Sequence, residues 1–75
     1  MQNAHQLLYN EEDDMLEIIK NTSNQSVDFV EGKYGIQFHR DISDNIVRIS
    51  IPEATILFGI SASDIISFVT YSSSS

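Results

Sequence analysis

The run Asn10-Glu11-Glu12-Asp13-Asp14 carries four carboxylates in a row and is the richest source of chemical groups in this sequence. A hard cation such as Ca²⁺ takes roughly six to eight oxygen ligands, but the run lacks the glycine and the distal glutamate of a calcium-binding loop. A solvated hairpin turn accounts for the run more simply. The same carboxylates would also form an acidic patch for a basic protein, which requires only exposure and charge. We therefore predict no metal site, and we predict the partner-binding residues Glu11, Glu12, Asp13 and Asp14.

The remaining polar residues offer weaker candidates for chemistry. His39 lies beside Arg40 and near Asp41, which are suitable residue types for proton transfer. A general base, however, needs a substrate, a pocket and an orienting partner, so a polar position on a strand is the simpler interpretation. None of the serines has the flanking glycines of a nucleophile elbow. We predict no catalytic residue, no cofactor and no enzymatic activity.

The length and composition narrow the class of protein. The chain has 75 residues, which suits one small domain, and we predict its bounds as 1–71. Cysteine is absent, so no disulfide framework and no thiolate ligand are expected. The first six residues have no basic region, and no run of about 18 apolar residues occurs that would span a membrane. We expect a cytoplasmic protein that has no membrane partner.

The charge balance restricts the partners. Four Lys and Arg residues stand against eleven Asp and Glu residues, which gives a formal net charge of −7. A molecule with this charge repels phosphate backbones, so we expect no direct binding to nucleic acid. Solubility is one consequence of the charge. Attraction to a basic protein partner is the other, because opposite potentials speed encounter and reject like-charged competitors.

Alternation of apolar and polar residues predicts β-strands, since side chains on a strand point to opposite faces in turn. In the last predicted strand Ile49 and Ile51 point inward and Ser50 points outward, and in the fourth Tyr34 and Phe38 share the core face. Loops and turns rich in Asn, Asp, Ser and Gly separate the segments. The predicted strands span residues 4–9, 15–20, 26–30, 34–39 and 46–51.

The C-terminal third predicts helices. Pro52 suits the first turn of a helix, and Gly59 suits its end. The segment Ser61–Asp64 has the serine cap and the acid of a second helix start, whereas residues 65–71 have the composition of a strand; we favour a short helix. Residues 72–75 form a serine tail that we predict to be disordered. The expected fold class is α+β, a small antiparallel β-meander of four to five strands with one or two short C-terminal helices.

The helical segment and its tail are unusually apolar for so small a domain. Eight large apolar residues fall within residues 56–69, more than one short helix can bury against a sheet. Small domains gain stability by oligomerising, and twofold dimers are the commonest closed assembly. We predict a homodimer whose interface uses Ile65, Ile66 and Phe68.

The run from Tyr9 to Ile18, with its tyrosine, acids and alternating aliphatics, resembles the opening of a small uncharacterised bacterial family, domain of unknown function 2283. Gly35 to Phe38, Asp41 to Asn45 and the segment from Ile46 to Thr55 are similar to its later strand, turn, strand and helix. Asn10 stands where the family usually has aspartate. The resemblance implies a compact antiparallel sheet closed by a short helix, no catalytic activity, and an antitoxin-like role beside a small basic toxin-like protein.

Two classes of function follow from these observations. The first is a non-enzymatic acidic module that sequesters a basic protein partner. The second is a structural or regulatory homo-oligomer with no dedicated partner. A small enzyme or ligand carrier that uses the open face of the sheet is a third option, and it would need a pocket with a strongly perturbed titratable group.

Overall fold

The computed structural model describes residues 5–20 and 23–73 of the chain. Within these residues, one five-stranded antiparallel sheet is followed by two α-helices, which confirms the predicted α+β class. A 3₁₀ turn, Lys33–Gly35, lies between the third and fourth strands. The elements are β1 (His5–Asn10), β2 (Met15–Lys20), β3 (Asp28–Glu31), β4 (Gln37–Arg40), β5 (Ile46–Ile51), α1 (Ala54–Phe58) and α2 (Ala62–Ser73).

The strands lie in the order β1-β2-β5-β4-β3. β1 and β2 form a hairpin with Tyr9 opposite Leu16, and β3, β4 and β5 form a meander with Phe38 opposite Ile49. The two units join through β2 and β5, where Leu16 lies opposite Ile51. A fully consecutive meander would place β3 beside β2. The predicted meander therefore describes each unit, while the junction brings the last strand to the centre of the sheet.

The hydrophobic core lies between one face of the sheet and the two helices. Leu16, Ile51, Ala54 and Ile65 form its buried centre. Because residues alternate between faces and cross-strand partners share a face, the register places Leu16, Ile18, Ile49 and Ile51 together. Burying a Leu or Ile side chain contributes roughly 1.5–3 kcal/mol. Half-buried residues packed around the centre are Tyr9, Ile18, Ile36, Ile49, Leu57 and Val69.

The predicted bounds of β2 and β5 are confirmed, and those of β3 and β4 are partly wrong. β3 begins at Asp28, two residues after the predicted start. Tyr34 does not lie on β4 but within the 3₁₀ turn, where its φ of 63° is left-handed and its side chain is 72% exposed. The hydrogen bonds of this turn, from Gly32 N–H to Ile36 O and from Ile36 N–H to Lys33 O, replace strand pairing there.

The start of the first helix also differs from the prediction. Pro52 lies outside α1, which begins at Ala54 after Glu53 in a left-handed conformation with φ 51°. Gly59 ends the helix as predicted: its φ is 69°, and its N–H donates to Thr55 O at 2.9 Å. A left-handed residue is the usual end of a helix, and glycine adopts it without a steric penalty.

The second helix confirms the serine cap. The N–H of Asp64 donates to Ser61 Oγ at 3.1 Å, and α2 then continues through the β-branched segment to Ser73. The helix therefore extends two residues beyond the predicted domain end at residue 71. Residues 74–75 of the predicted tail, and Ala4 of the predicted first strand, lie outside the described residues.

Candidate functional site

The acidic turn, residues 11–14, joins β1 to β2 at one end of the sheet. The N–H of Asp14 donates to Glu11 O at 3.2 Å and closes the turn. Asn10 holds the middle of the turn, because its side-chain oxygen accepts from the N–H of Asp13 at 3.3 Å and its amide donates to the Asp13 carboxylate at 3.2 Å. Glu11, Glu12 and Asp13 are exposed at the tip. These three carboxylates are therefore accessible from solvent.

Asp14 has a different role from its three neighbours. Its carboxylate accepts hydrogen bonds from the hydroxyl of Tyr9 at 2.7 Å, from the N–H of Thr55 at 3.1 Å and from the hydroxyl of Thr55. Its carbonyl accepts the N–H of Ala54 at 3.0 Å. Asp14 thus receives the first free N–H groups of α1, which have no partner within the helix. The predicted patch therefore divides: Asp14 anchors the turn, and the other three carboxylates face solvent.

The hydrogen bonds of this anchor change two pKa values. Donation by the Thr55 side chain, and then by Tyr9, holds the pKa of the Asp14 carboxyl below its ordinary value of 3.8. Conversely, the hydrogen bond to Asp14 raises the pKa of Tyr9 to about 12, because loss of the phenolic proton would place two negative charges in contact. Asp14 therefore stays ionised and Tyr9 stays protonated at neutral pH.

Glu53 is an exposed acid outside the acidic run. It directly precedes Ala54, whose N–H is bonded to Asp14, so its backbone lies near the base of the acidic turn. Glu53 itself lines a different surface depression, together with Tyr34, Pro52 and Leu57. The prediction had assigned Glu53 to the first turn of α1. No local signal would have placed it here, because about 40 residues separate it from the turn and only the pairing of β2 with β5 unites them.

The arginines of the described residues are bound to acids elsewhere. Arg40 makes two hydrogen bonds to Asp28, at 3.1 and 3.0 Å, and also lies 3.9 Å from Asp44. Arg48 lies 3.9 Å from Glu17. In residues 5–20 and 23–73, no Lys or Arg nitrogen lies within 4.0 Å of a carboxylate at the tip of the acidic turn. The charge of the tip is therefore not neutralised by these ion pairs.

Asp41, which lies near His39 in the sequence, forms its hydrogen bonds with other residues. Asp41 is buried in a turn, where it accepts from the N–H groups of Ser43 and Asn45, both at 2.9 Å, and from the side chain of Asn24. The Asn45 N–H contributes most to lowering the pKa of Asp41. Asp41 is therefore a structural residue that fixes the connection between β4 and β5.

His39 instead contacts Ser50 across the sheet, on the face opposite the helices. Ser50 Oγ lies 3.4 Å from His39 Nε2 and 3.4 Å from Glu17 Oε2, and Ser50 is only 5% exposed. In a catalytic triad the imidazole lies between the hydroxyl and the carboxylate. Here the hydroxyl lies between the imidazole and the carboxylate, so the three side chains are not ordered for nucleophilic catalysis. Ser50 faces away from the core as predicted, although neighbouring side chains bury it.

The three residues predicted for a dimer interface occupy different environments. Ile65 is 2% exposed and belongs to the core of the chain itself, which removes it from any interface. Ile66 and Phe68 are 40% and 58% exposed. Self-association through these two residues stays a prediction.

Comparisons with protein-family models, with curated proteins and with solved structures find no match for this chain. The resemblance to domain of unknown function 2283 therefore stays a prediction. Of the helices in the described residues, none is long and apolar enough to cross a membrane. Across the same residues, no three His, Cys, Asp or Glu side chains are grouped so that they could hold a metal ion.

Proposed function

We propose that this protein is a non-enzymatic module that binds a basic protein partner through its acidic turn and sequesters that partner, as an antitoxin-like neutraliser does. The observation that carries the proposal is the exposure of Glu11, Glu12 and Asp13 on a turn whose base is anchored through Asp14. Because the base is held by hydrogen bonds to β1 and α1, a partner meets carboxylates whose backbone is already ordered. Less conformational entropy is then lost on binding.

The distribution of charge supports the same function. The tip of the turn adds three negative charges at one end of the sheet. Concentrated charge of one sign steers an oppositely charged partner to that end and repels nucleic acid. The net charge of −7 strengthens this preference.

The proposal excludes a catalytic role for the polar cluster on the open face. Glu17 and His39 each contact Ser50, yet the order of the three side chains differs from that of a nucleophile, a base and an orienting acid. We assign these side chains to cross-strand contacts of the sheet, together with Arg48 beside Glu17.

A structural or regulatory homo-oligomer is the second candidate function. The exposure of Ile66 and Phe68 on α2 favours it, since apolar side chains on a small domain are often covered by another copy. The charge of −7 on each copy opposes it. Light scattering on the wild type and on the Ile66→Ser variant separates the two candidates: a change of mass in the variant supports the oligomer, and an unchanged monomer supports the binding module.

The proposal is tested by affinity capture on the immobilised protein from a lysate of the source cells, at low and at high salt. The test variant is Glu11→Gln/Glu12→Gln/Asp13→Asn, which keeps Asp14 and so keeps the anchor. The matched control neutralises three exposed acids elsewhere on the surface: Glu31→Gln, Asp44→Asn and Asp64→Asn.

We expect a basic protein to be retained at low salt by the wild type and by the control, and to be lost both at high salt and with the turn variant. Charges exposed to solvent are screened over about 8–10 Å in physiological salt, which explains the salt dependence. Equal retention by the two variants would refute the acidic turn as the binding site. Retention of no basic protein by the wild type would refute the function.

A further inference from the structure

A cavity of about 450 Å³ lies between the helix-bearing face of the sheet and the two helices. Its lining is apolar, whereas the acidic turn is charged, and the function proposed above does not involve it. Strands β1, β2 and β5, helices α1 and α2 and the link between the helices all contribute to its walls. The lining residues are Leu7, Leu16, Ile18, Ile51, Phe58, Ile60, Ile65 and Phe68.

The cavity has a closed floor and an open rim. Leu16, Ile51 and Ile65 are buried and form the floor. Phe58, Ile60 and Phe68 remain about half exposed, so the rim opens to solvent. Every lining side chain is a hydrocarbon. Water inside such a space finds no side chain to which it can hydrogen-bond, and apolar cavities of this kind take up hydrocarbon ligands.

We infer that this cavity binds the hydrocarbon chain of a single-chain amphiphile whose headgroup is uncharged or cationic and stays at the rim. The volume of about 450 Å³ falls within the range of roughly 300–1,000 Å³ for ligand-binding pockets. If each methylene takes about the 30 Å³ of a water molecule in the liquid, the cavity holds a chain of roughly ten to fifteen carbons.

The net charge of the chain restricts the headgroup. It is −7, which repels an anionic headgroup. The same charge does not oppose an uncharged headgroup, and it attracts a cationic one.

A second copy of the chain is the competing occupant of this cavity. Each copy carries a charge of −7, and the two charges repel each other when the copies associate. An uncharged or cationic amphiphile meets no such repulsion. Its chain can also fill the floor of the cavity, which a contact between two copies at the rim would leave empty. The charge balance therefore favours the small ligand.

The inference is tested with the neutral dye N-phenyl-1-naphthylamine, whose fluorescence rises in apolar surroundings. Titration of the wild type should show saturable uptake of one dye per chain. Dodecanol should displace the dye at a concentration lower than that needed for dodecanoate, by about fivefold or more, because of the charge repulsion. Dodecyltrimethylammonium should displace the dye at least as well as dodecanol, because its charge is opposite to that of the chain. All three competitors are used below their limits of solubility and of micelle formation.

Two variants place a bulky ring inside the cavity, Leu7→Trp on β1 and Ile60→Trp in the link between the helices. Each should weaken dye uptake by about tenfold or more, because the added ring occupies the space of the ligand. The matched control is Ile42→Trp, since Ile42 lies in an exposed turn outside the lining, and it should bind like the wild type. Circular dichroism verifies the fold of each variant. If Leu7→Trp does not fold, Ile60→Trp alone provides the test.

Three outcomes would overturn the inference. The first is uptake that does not saturate, or that is equal in the control and in a folded blocked variant. The second is displacement by dodecanoate at a concentration equal to or lower than that needed for dodecanol. The third is exclusion of the dye by a wild-type dimer that Phe68→Ser dissociates, which would show a second copy as the occupant. Unchanged dye uptake in the acidic-turn variant would show that this site is independent of the proposed function.

Discussion

The acidic turn and the apolar cavity are held in place by opposite kinds of force. A few directional hydrogen bonds to one carboxylate, that of Asp14, fix the turn against β1 and α1. Packing of many hydrocarbon groups, with no polar contact among the lining side chains, shapes the cavity. The first region is therefore sensitive to the loss of single atoms and to pH, whereas the second is sensitive to volume.

The difference between the regions also separates their modes of binding. A partner held by exposed carboxylates is released by salt, because screening weakens exposed charge pairs. A hydrocarbon chain held in the cavity is not released by salt, since its transfer from water depends on apolar area. The two proposed sites can therefore be abolished one at a time.

The largest loss of stability is expected from Ile65→Ala, because Ile65 lies in the wall of the apolar cavity, where packing dominates. Removal of this buried side chain should lower the free energy of unfolding by about 2–5 kcal/mol. Urea denaturation measures the change. Ile66→Ala is the matched control on the next position of α2, which is partly exposed, and it should cost under about 1 kcal/mol. Equal losses in the two variants would show that α2 does not pack through Ile65.

The second prediction concerns the anchor and has a defined dependence on pH. The lowered pKa of Asp14 contributes stability that is present above the ordinary carboxyl value of 3.8 and is lost as pH falls through the folded value. Asp14→Asn removes this contribution and keeps a residue that tolerates the left-handed backbone at φ 53°. We expect a lower melting temperature at pH 7 and a smaller difference between pH 7 and pH 3 than in the wild type.

Asp13→Asn is the control for the anchor, because it removes the same charge one residue away and leaves the contacts of Asp14 intact. It should retain the wild-type melting temperature and pH profile. Asp41 also has a lowered pKa, so part of the acid sensitivity should persist in both variants. A profile of Asp14→Asn that matches the wild type would refute the anchoring role.

The third prediction uses Tyr9, the donor on the other side of the anchor. The raised pKa of about 12 means that its contribution is complete below the ordinary value of 10.0 and is lost as pH rises through about 12. The difference in phenolate absorbance between the wild type and Tyr9→Phe should therefore show a midpoint near 12. With Asp14→Asn in both proteins, the midpoint should fall towards 10. A midpoint near 10 in the wild-type pair would contradict the hydrogen bond.

The two regions also differ in how far the sequence could predict them. β5 has the cleanest alternation, and β2 has one wholly apolar face, so their bounds and their core faces followed from local pattern. The tip of the acidic turn followed from its position between two apolar segments. The second helix was predicted from the Ser61 cap, although its β-branched residues suited a strand equally well; the burial of Ile65 on the core decides in favour of the helix.

The failures of prediction have two origins, one local and one distant. Tyr34 is a residue type that favours strands, but a local turn closed by the hydrogen bond from Gly32 N–H to Ile36 O holds it in a left-handed conformation. Pro52 suits the first position of a helix, yet α1 starts at Ala54 because Asp14 supplies the acceptors there. No local pattern reveals an acceptor on a turn so far away in sequence, so the division of the acidic run into anchor and tip was also beyond prediction.

The smallest effect on stability is expected at the tip of the acidic turn, where binding should change most. The Glu11→Gln/Glu12→Gln/Asp13→Asn variant removes three exposed charges and none of the contacts of Asp14, so the free energy of unfolding should change by no more than about 0.5 kcal/mol. At low salt the variant should be slightly more stable than the wild type, because adjacent like charges repel one another. Urea denaturation measures the stability of the variant, and partner capture measures its binding. Loss of binding without loss of stability would show that the tip binds the partner and that the anchor stabilises the fold. A variant that unfolds as readily as Asp14→Asn would instead show that the tip and the anchor form one structural unit.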